Sequence, residues 1–150
     1  MRALQNHEIR NALWIAWIES QPGTEHAHEE GGFVLQESSG TLKVERWQCG
    51  THNEIEVPDH NGGRRNHEII VASFHTHPNV GPGYQQEPSL TDIRAVGSDP
   101  DFAHAEYEGE LVISELKVYL VPRSGQVECL GDTQKLLNHP QGGSDGNGNA

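Results

Sequence analysis

The chain has 150 residues, 33% of them hydrophobic, and a formal net charge of −12; its mean hydropathy is −0.68. That length suits one domain with a proper core, while the acidic balance speaks against nucleic acid and anionic membranes as partners, since both call for a basic surface. Cys49 and Cys129 are too few and too far apart for a disulfide framework or a metal knuckle, so they read as ordinary strand-associated thiols in a reducing cytoplasm, with their proximity in space left open.

The first residues, 1–8, lack the apolar core of a signal peptide, and no run approaches membrane-spanning length, so a cytoplasmic location is expected. Residues 3–20 set Leu4, Ile9, Leu13, Trp14, Trp17 and Ile18 at close to helical spacing before Gln21-Pro22-Gly23. One amphipathic helix is expected there, packed across a sheet with its tryptophans in the core. Residues 32–37 and 41–47 read as strands around Ser38-Ser39-Gly40, a hairpin signal. Residues 54–57 suggest a short edge strand. Residues 59–66 suggest a polar loop, with Arg64 and Arg65 as a basic pair toward the expected cleft; a solvated loop is the default reading.

Residues 69–75 are apolar and β-branched, the mark of a buried central strand. A loop rich in glycine and proline comes next at 79–88, then a short helix at 90–96 with Gly97 as its stop. The acidic stretch 99–108, which includes His104, reads as an exposed face. Strands are expected at 111–113, 116–121 and 127–130, and Asp132 should open a last helix to Leu137 by side-chain capping. The alternation suits an α/β fold with a single curved, mainly antiparallel or mixed sheet flanked by helices. Residues 1–138 form the expected domain, and 139–150, rich in glycine and asparagine, a disordered tail.

Chemistry concentrates at Phe74-His75-Thr76-His77-Pro78 and Ser89-Leu90-Thr91-Asp92. Alternate side chains of a strand share a face, about 6.5–7 Å apart, so His75 and His77 should project together from the strand end, where Pro78 stops the ladder. With Asp92 they supply three ligands, and three rather than four leave a position for water, the arrangement of a catalytic zinc. A plainer reading stands beside this one: H-x-H arises by chance among ten histidines, and Ser89-x-x-Asp92 also fits a helix capping box.

The set resembles the motif of the JAMM, or JAB/MPN-type, zinc metalloproteases: an upstream Glu, then H-x-H-P, then S-x-x-D, over roughly residues 25–125. The resemblance implies that His75, His77 and Asp92 bind Zn2+, that Ser89 stabilises the tetrahedral intermediate, and that an upstream glutamate is the acid/base. It implies an MPN/JAB-like fold with a cytidine-deaminase-like layering. The upstream E-x-x-G pattern fits Glu29-Glu30-Gly31-Gly32, with Glu29 in the catalytic register and Glu30 one residue away as the alternative. The spacer 79–88 is longer than the family's usual one and reads as a rim loop that bears on substrate preference.

The activity that the resemblance implies is that of a zinc-dependent peptidase or isopeptidase, acting on an amide at the tail of a ubiquitin-like modifier or other flexible polypeptide. The oligomeric state is left open. A catalytically silent MPN-type scaffold that binds protein partners is the rival, although such domains lose motif residues that this chain retains. A zinc deaminase would want H-x-E and a later P-C-x-x-C, which Cys49 and Cys129 do not supply. His26 and His28 read as solvated connector residues, and Gln141-Gly142-Gly143 as part of a flexible tail rather than a self-processing site.

Overall fold

The computed structural model describes residues 1–138, so the tail expected at 139–150 and its Gln141-Gly142-Gly143 lie outside the described residues. The N-terminal amphipathic run is two helices rather than one, α1 (Arg2–Gln5) and α2 (His7–Glu19). Asn6 divides them: its backbone is extended (φ −95°, ψ 120°), and its side chain accepts the Ile9 N–H at 3.1 Å. Asparagine competes for local backbone donors in this way, which makes it a better cap than a helix interior.

Seven strands come after them: β1 (Gly31–Gln36), β2 (Leu42–Arg46), β3 (Arg64–Arg65), β4 (Glu68–Thr76), β5 (Glu110–Ile113), β6 (Lys117–Val121) and β7 (Glu128–Asp132). They form one open mixed sheet in the order β2-β1-β4-β5-β6-β7, with the two-residue β3 also pairing β4. Only β4 and β5 run parallel, and the crossover between them carries α3 (Leu90–Ser98), as parallel neighbours require a long connection. The last helix among the described residues, α4 (Thr133–Leu137), makes the fold there mixed α/β with four helices.

Apolar residues fill both faces of the sheet. Ile9, Leu13 and Trp17 of α2 and Leu137 of α4 pack with Val34, Phe74, Leu111 and Val118 on one side. Val96 of α3, Phe102 and Tyr107 pack with Phe33, Leu35, Ile70 and Val112 on the other. A β-bulge in the β1–β4 ladder pairs Val34 with Ala72 but Leu35 with Ile70, so Val71 has no partner on β1. The extra residue reverses the alternation. Val71 and Ala72 both join the α2 face, and the side chains at 73 and 75 fall on the α3 face with Ile70.

Several local expectations need correction. Residues 54–57 form no strand, and the loop expected at 59–66 contains both a 3-10 turn and β3. Helix α3 continues through Gly97 and stops where Asp99 precedes Pro100, at φ −81° and ψ 112°, because a residue before proline is driven out of the α region. The acidic stretch 99–108 is not simply an exposed face: Phe102 and Tyr107 are buried and stacked with ring centroids 4.2 Å apart. Asp132 precedes α4 without a side-chain capping bond, its carboxylate being held by Lys117 Nζ at 2.6 Å. Cys49 and Cys129 are free and exposed, Cys129 in β7 and Cys49 in coil beyond β2. Among the described residues no helix is long and apolar enough to cross a membrane.

Candidate metal centre

The ladder carries His75 to the end of β4, and the chain stays anchored one step further, where His77 N–H donates to the Ile113 carbonyl at 2.8 Å. Asp92 arrives from the first turn of α3. Ser89 is the N-cap of that helix, and the capping box is complete: Ser89 Oγ accepts Asp92 N–H at 3.0 Å, and Asp92 Oδ2 accepts Ser89 N–H at 2.8 Å. The capping and ligand readings of Ser89-x-x-Asp92 are therefore compatible, since the box fixes the carboxylate that faces the histidines.

His75 Nε2 and His77 Nε2 lie 3.3 Å apart. Asp92 Oδ1 is 3.4 Å from His75 Nε2, and Asp92 Oδ2 is 3.3 Å from His77 Nε2. Both rings have an acceptor at their other nitrogen. His75 Nδ1–H donates to Glu110 Oε2, and His77 Nδ1–H donates to the Gln86 carbonyl at 3.1 Å. Those bonds leave the two Nε2 lone pairs directed at each other and at a carboxylate. Three acceptors converging in a mostly buried place need a cation or protons between them. Ligands about 2.0–2.1 Å from a tetrahedral centre stand about 3.3 Å apart. The observed edges have that length, and the donor set of two imidazoles and one carboxylate suits zinc.

Without a cation, this proximity shows in the acidities. Burial opposes a charged Asp92, but the hydrogen bonds from His75 and His77 outweigh it and hold the carboxyl well below the usual range. Burial likewise opposes the His75 imidazolium, and Glu110 and Asp92 outweigh it, raising His75 well above its ordinary value.

Glu29 and Glu30 separate cleanly. The backbone of Glu29 is clamped by Thr51 (N–H to carbonyl, 2.7 Å) and Gly50 (2.8 Å), and its side chain lines a cleft of about 640 Å³ together with His75, His77, Ser89 and Asp92. Desolvation pushes its carboxyl up to about 7, partly offset by His75 and His77. Glu30 faces elsewhere, bonded to Arg46 Nη2 at 2.6 Å and His28 Nε2 at 2.7 Å. Glycine is required just after them, because a Cβ on Gly31 would lie 2.7 Å from the Phe74 carbonyl and 2.6 Å from the Trp47 ring.

The structure thus brings Glu29, His75, His77, Ser89 and Asp92 to one cleft. Arg64 and Arg65 do not line it: Arg65 is taken by Glu45 at 2.9 Å and the Asp59 carbonyl at 2.7 Å, and Arg64 by the His67 carbonyl at 3.1 Å. His28 is no free connector side chain, given its bond to Glu30. Two supporting groups carry little signal in the sequence. Gln86 acts through a carbonyl, which leaves no side-chain mark, and Glu110 becomes a neighbour of His75 only through the long-range β4–β5 pairing. The one available hint is an acid opening the apolar run Glu110-Leu111-Val112-Ile113. No protein-family model, curated protein or solved structure matches the chain.

Proposed function

We propose that residues 1–138 form a zinc-dependent amide hydrolase of the JAMM type, a peptidase or isopeptidase acting on the flexible tail of a ubiquitin-like modifier or similar polypeptide in the cytoplasm. The observation that carries this reading is the convergence of His75 Nε2, His77 Nε2 and Asp92 at 3.3–3.4 Å, with Glu29 lining the same cleft. The helices on both faces of a mixed sheet are in keeping with an MPN/JAB-like layering.

His75, His77 and Asp92 would hold the ion, and zinc so held supplies Lewis acidity, acidifying water and polarising a carbonyl. Glu29 is the proton carrier: burial in the cleft raises its carboxyl above the ordinary carboxylate range, in the direction that suits a general base. It takes a proton at Oε and returns it to the departing amine. Ser89 Oγ receives the Asp92 N–H, and its own hydrogen has no protein acceptor among the described residues, so it remains free to donate to a developing oxyanion. The Asn79–Pro88 rim loop borders the cleft through Asn79, Tyr84 and Gln85, where it would meet the substrate chain.

The reading is tested by incubating zinc-loaded protein with fusions of ubiquitin-like modifiers, with and without chelator, beside the Glu29→Gln variant. Cleavage should require zinc and fail in the variant. Cleavage that survives both treatments would overturn the mechanism.

A further inference from the structure

Behind His75 lies a polar chain that the proposed reaction does not itself use. Ser73 and His75 sit two residues apart on β4, on the face to which the bulge directs them. β5 runs alongside in parallel register, Ser73 opposite Glu110. Gly109 makes this entry possible: it adopts φ +134°, and a Cβ there would lie 2.7 Å from the Val121 carbonyl. Glu110 then reaches His75 Nδ1 with Oε2 and accepts Ser73 Oγ–H at Oε1, 2.8 Å away. Because the Ser73 hydrogen is committed to Glu110, the 2.7 Å contact between Ser73 Oγ and Tyr107 Oη must be donated by Tyr107. Ser73 is fully buried and Tyr107 is 8% exposed, so the bracing end of the chain is shielded and its hydrogen bonds run one way, from Tyr107 through Ser73 to a Glu110 that borders the cleft.

We propose that Glu110, braced by Ser73 and Tyr107, is the positioning residue of this site, holding His75 in the tautomer and ring orientation that present Nε2 to a metal ion. The proposal rests on the zinc reading above. An imidazole with no partner at Nδ1 would be free to flip or to carry its proton on Nε2, and either event removes a ligand. A carboxylate partner also makes the ring a stronger donor, and loss of such partners typically costs about 10–100-fold in metal affinity. Glu110 differs in kind from the partner of His77, the Gln86 carbonyl on a loop, because it is a side chain on a central strand and can be replaced alone.

The test is zinc affinity of the full chain, measured by competition with a chromophoric chelator, together with thermal unfolding of the metal-stripped proteins. Glu110→Ala should bind zinc about 10–100-fold more weakly than wild type, while Glu110→Gln, whose amide oxygen still accepts from Nδ1, should recover most of that loss. Wild-type affinity in Glu110→Ala, alongside lost binding in His77→Ala, would overturn this proposal and leave the zinc reading standing. Equal loss in Glu110→Ala and Glu110→Gln with a matching fall in metal-stripped stability would overturn it too, by showing a merely structural role. Failure of the wild type to bind zinc would instead bring down the parent reading, and this one with it.

Discussion

Two histidine–carboxylate clusters in this molecule look alike by composition and differ in geometry. His75, His77 and Asp92 keep their facing atoms 3.3–3.4 Å apart. His60, Asp99 and Asp101 also gather their ligand atoms within 4.8 Å of one another, yet His60 Nε2 touches Asp99 Oδ2 at 2.6 Å and its Nδ1 meets the Pro58 carbonyl at 2.7 Å. With acceptors at both nitrogens, the His60 ring is satisfied as an imidazolium, and a proton fills the gap that a metal would need. Burial opposes that charge, but the Pro58 carbonyl and Asp99 outweigh it and raise His60 above its ordinary value. The difference lies in what each ring's Nδ1 acceptor leaves unpaired. In one cluster Nε2 finds its own carboxylate at hydrogen-bond distance; in the other, two Nε2 atoms share one at ligand spacing.

The sharpest way to break the comparison is to delete members of each cluster and count zinc. His77→Ala or Asp92→Ala should take bound zinc from one per chain to none and abolish hydrolysis, whereas His60→Ala should leave it at one per chain; metal analysis by mass spectrometry reads both. Loss of zinc in His60→Ala alone would reverse the assignment. Next in size, Glu29→Gln should retain zinc and lower turnover by about 10²–10⁴-fold, the usual contribution of a positioned acid/base. Ser89→Ala should also retain zinc and lower turnover by about 10²–10³-fold, with a small loss of stability because the Asp92 N–H loses its cap.

Much of the site was legible in the sequence because its signals are local. The β-branched run before His75 marked a central strand, the i, i+2 spacing a shared face, and Ser89-x-x-Asp92 a helix start. The separation of Glu29 from Glu30 depended on partners distant in sequence, Arg46 for one and the cleft for the other. The same holds for Glu110. The fold is least legible where a single residue redirects the backbone: Asn6 splitting the N-terminal helix, Val71 bulging from β4, and Pro100 rather than Gly97 ending α3. Short polar turns near 54–66 satisfy their backbone through individual long-range bonds, which periodicity does not register.

Stability against pH sharpens the comparison further. In metal-stripped protein desolvation pushes Glu29 up to about 7 from the ordinary 4.5, so its burial costs nothing below pH 4.5, and the penalty builds from there and is complete once pH has risen past 7. The gap is worth on the order of 3 kcal/mol. Metal-stripped Glu29→Gln should therefore melt above wild type at pH 8 and approach it below pH 4.5; parallel curves would contradict a desolvated Glu29. The His60 latch should behave in the same sense but more weakly. Its raised pKa means that its stabilisation is full below about 6.5 and fades as pH climbs through the higher folded value. His60→Ala should thus cost about 1–3 kcal/mol at acid pH, and less at alkaline pH, in denaturant titrations.

Where a metal ion settles decides between the two clusters, and anomalous X-ray scattering at the zinc edge locates it directly. A single strong peak should lie between His75 Nε2, His77 Nε2 and the Asp92 carboxylate, within about 2.0–2.2 Å of each. A peak beside His60 and Asp99, or none in zinc-saturated crystals, would contradict it.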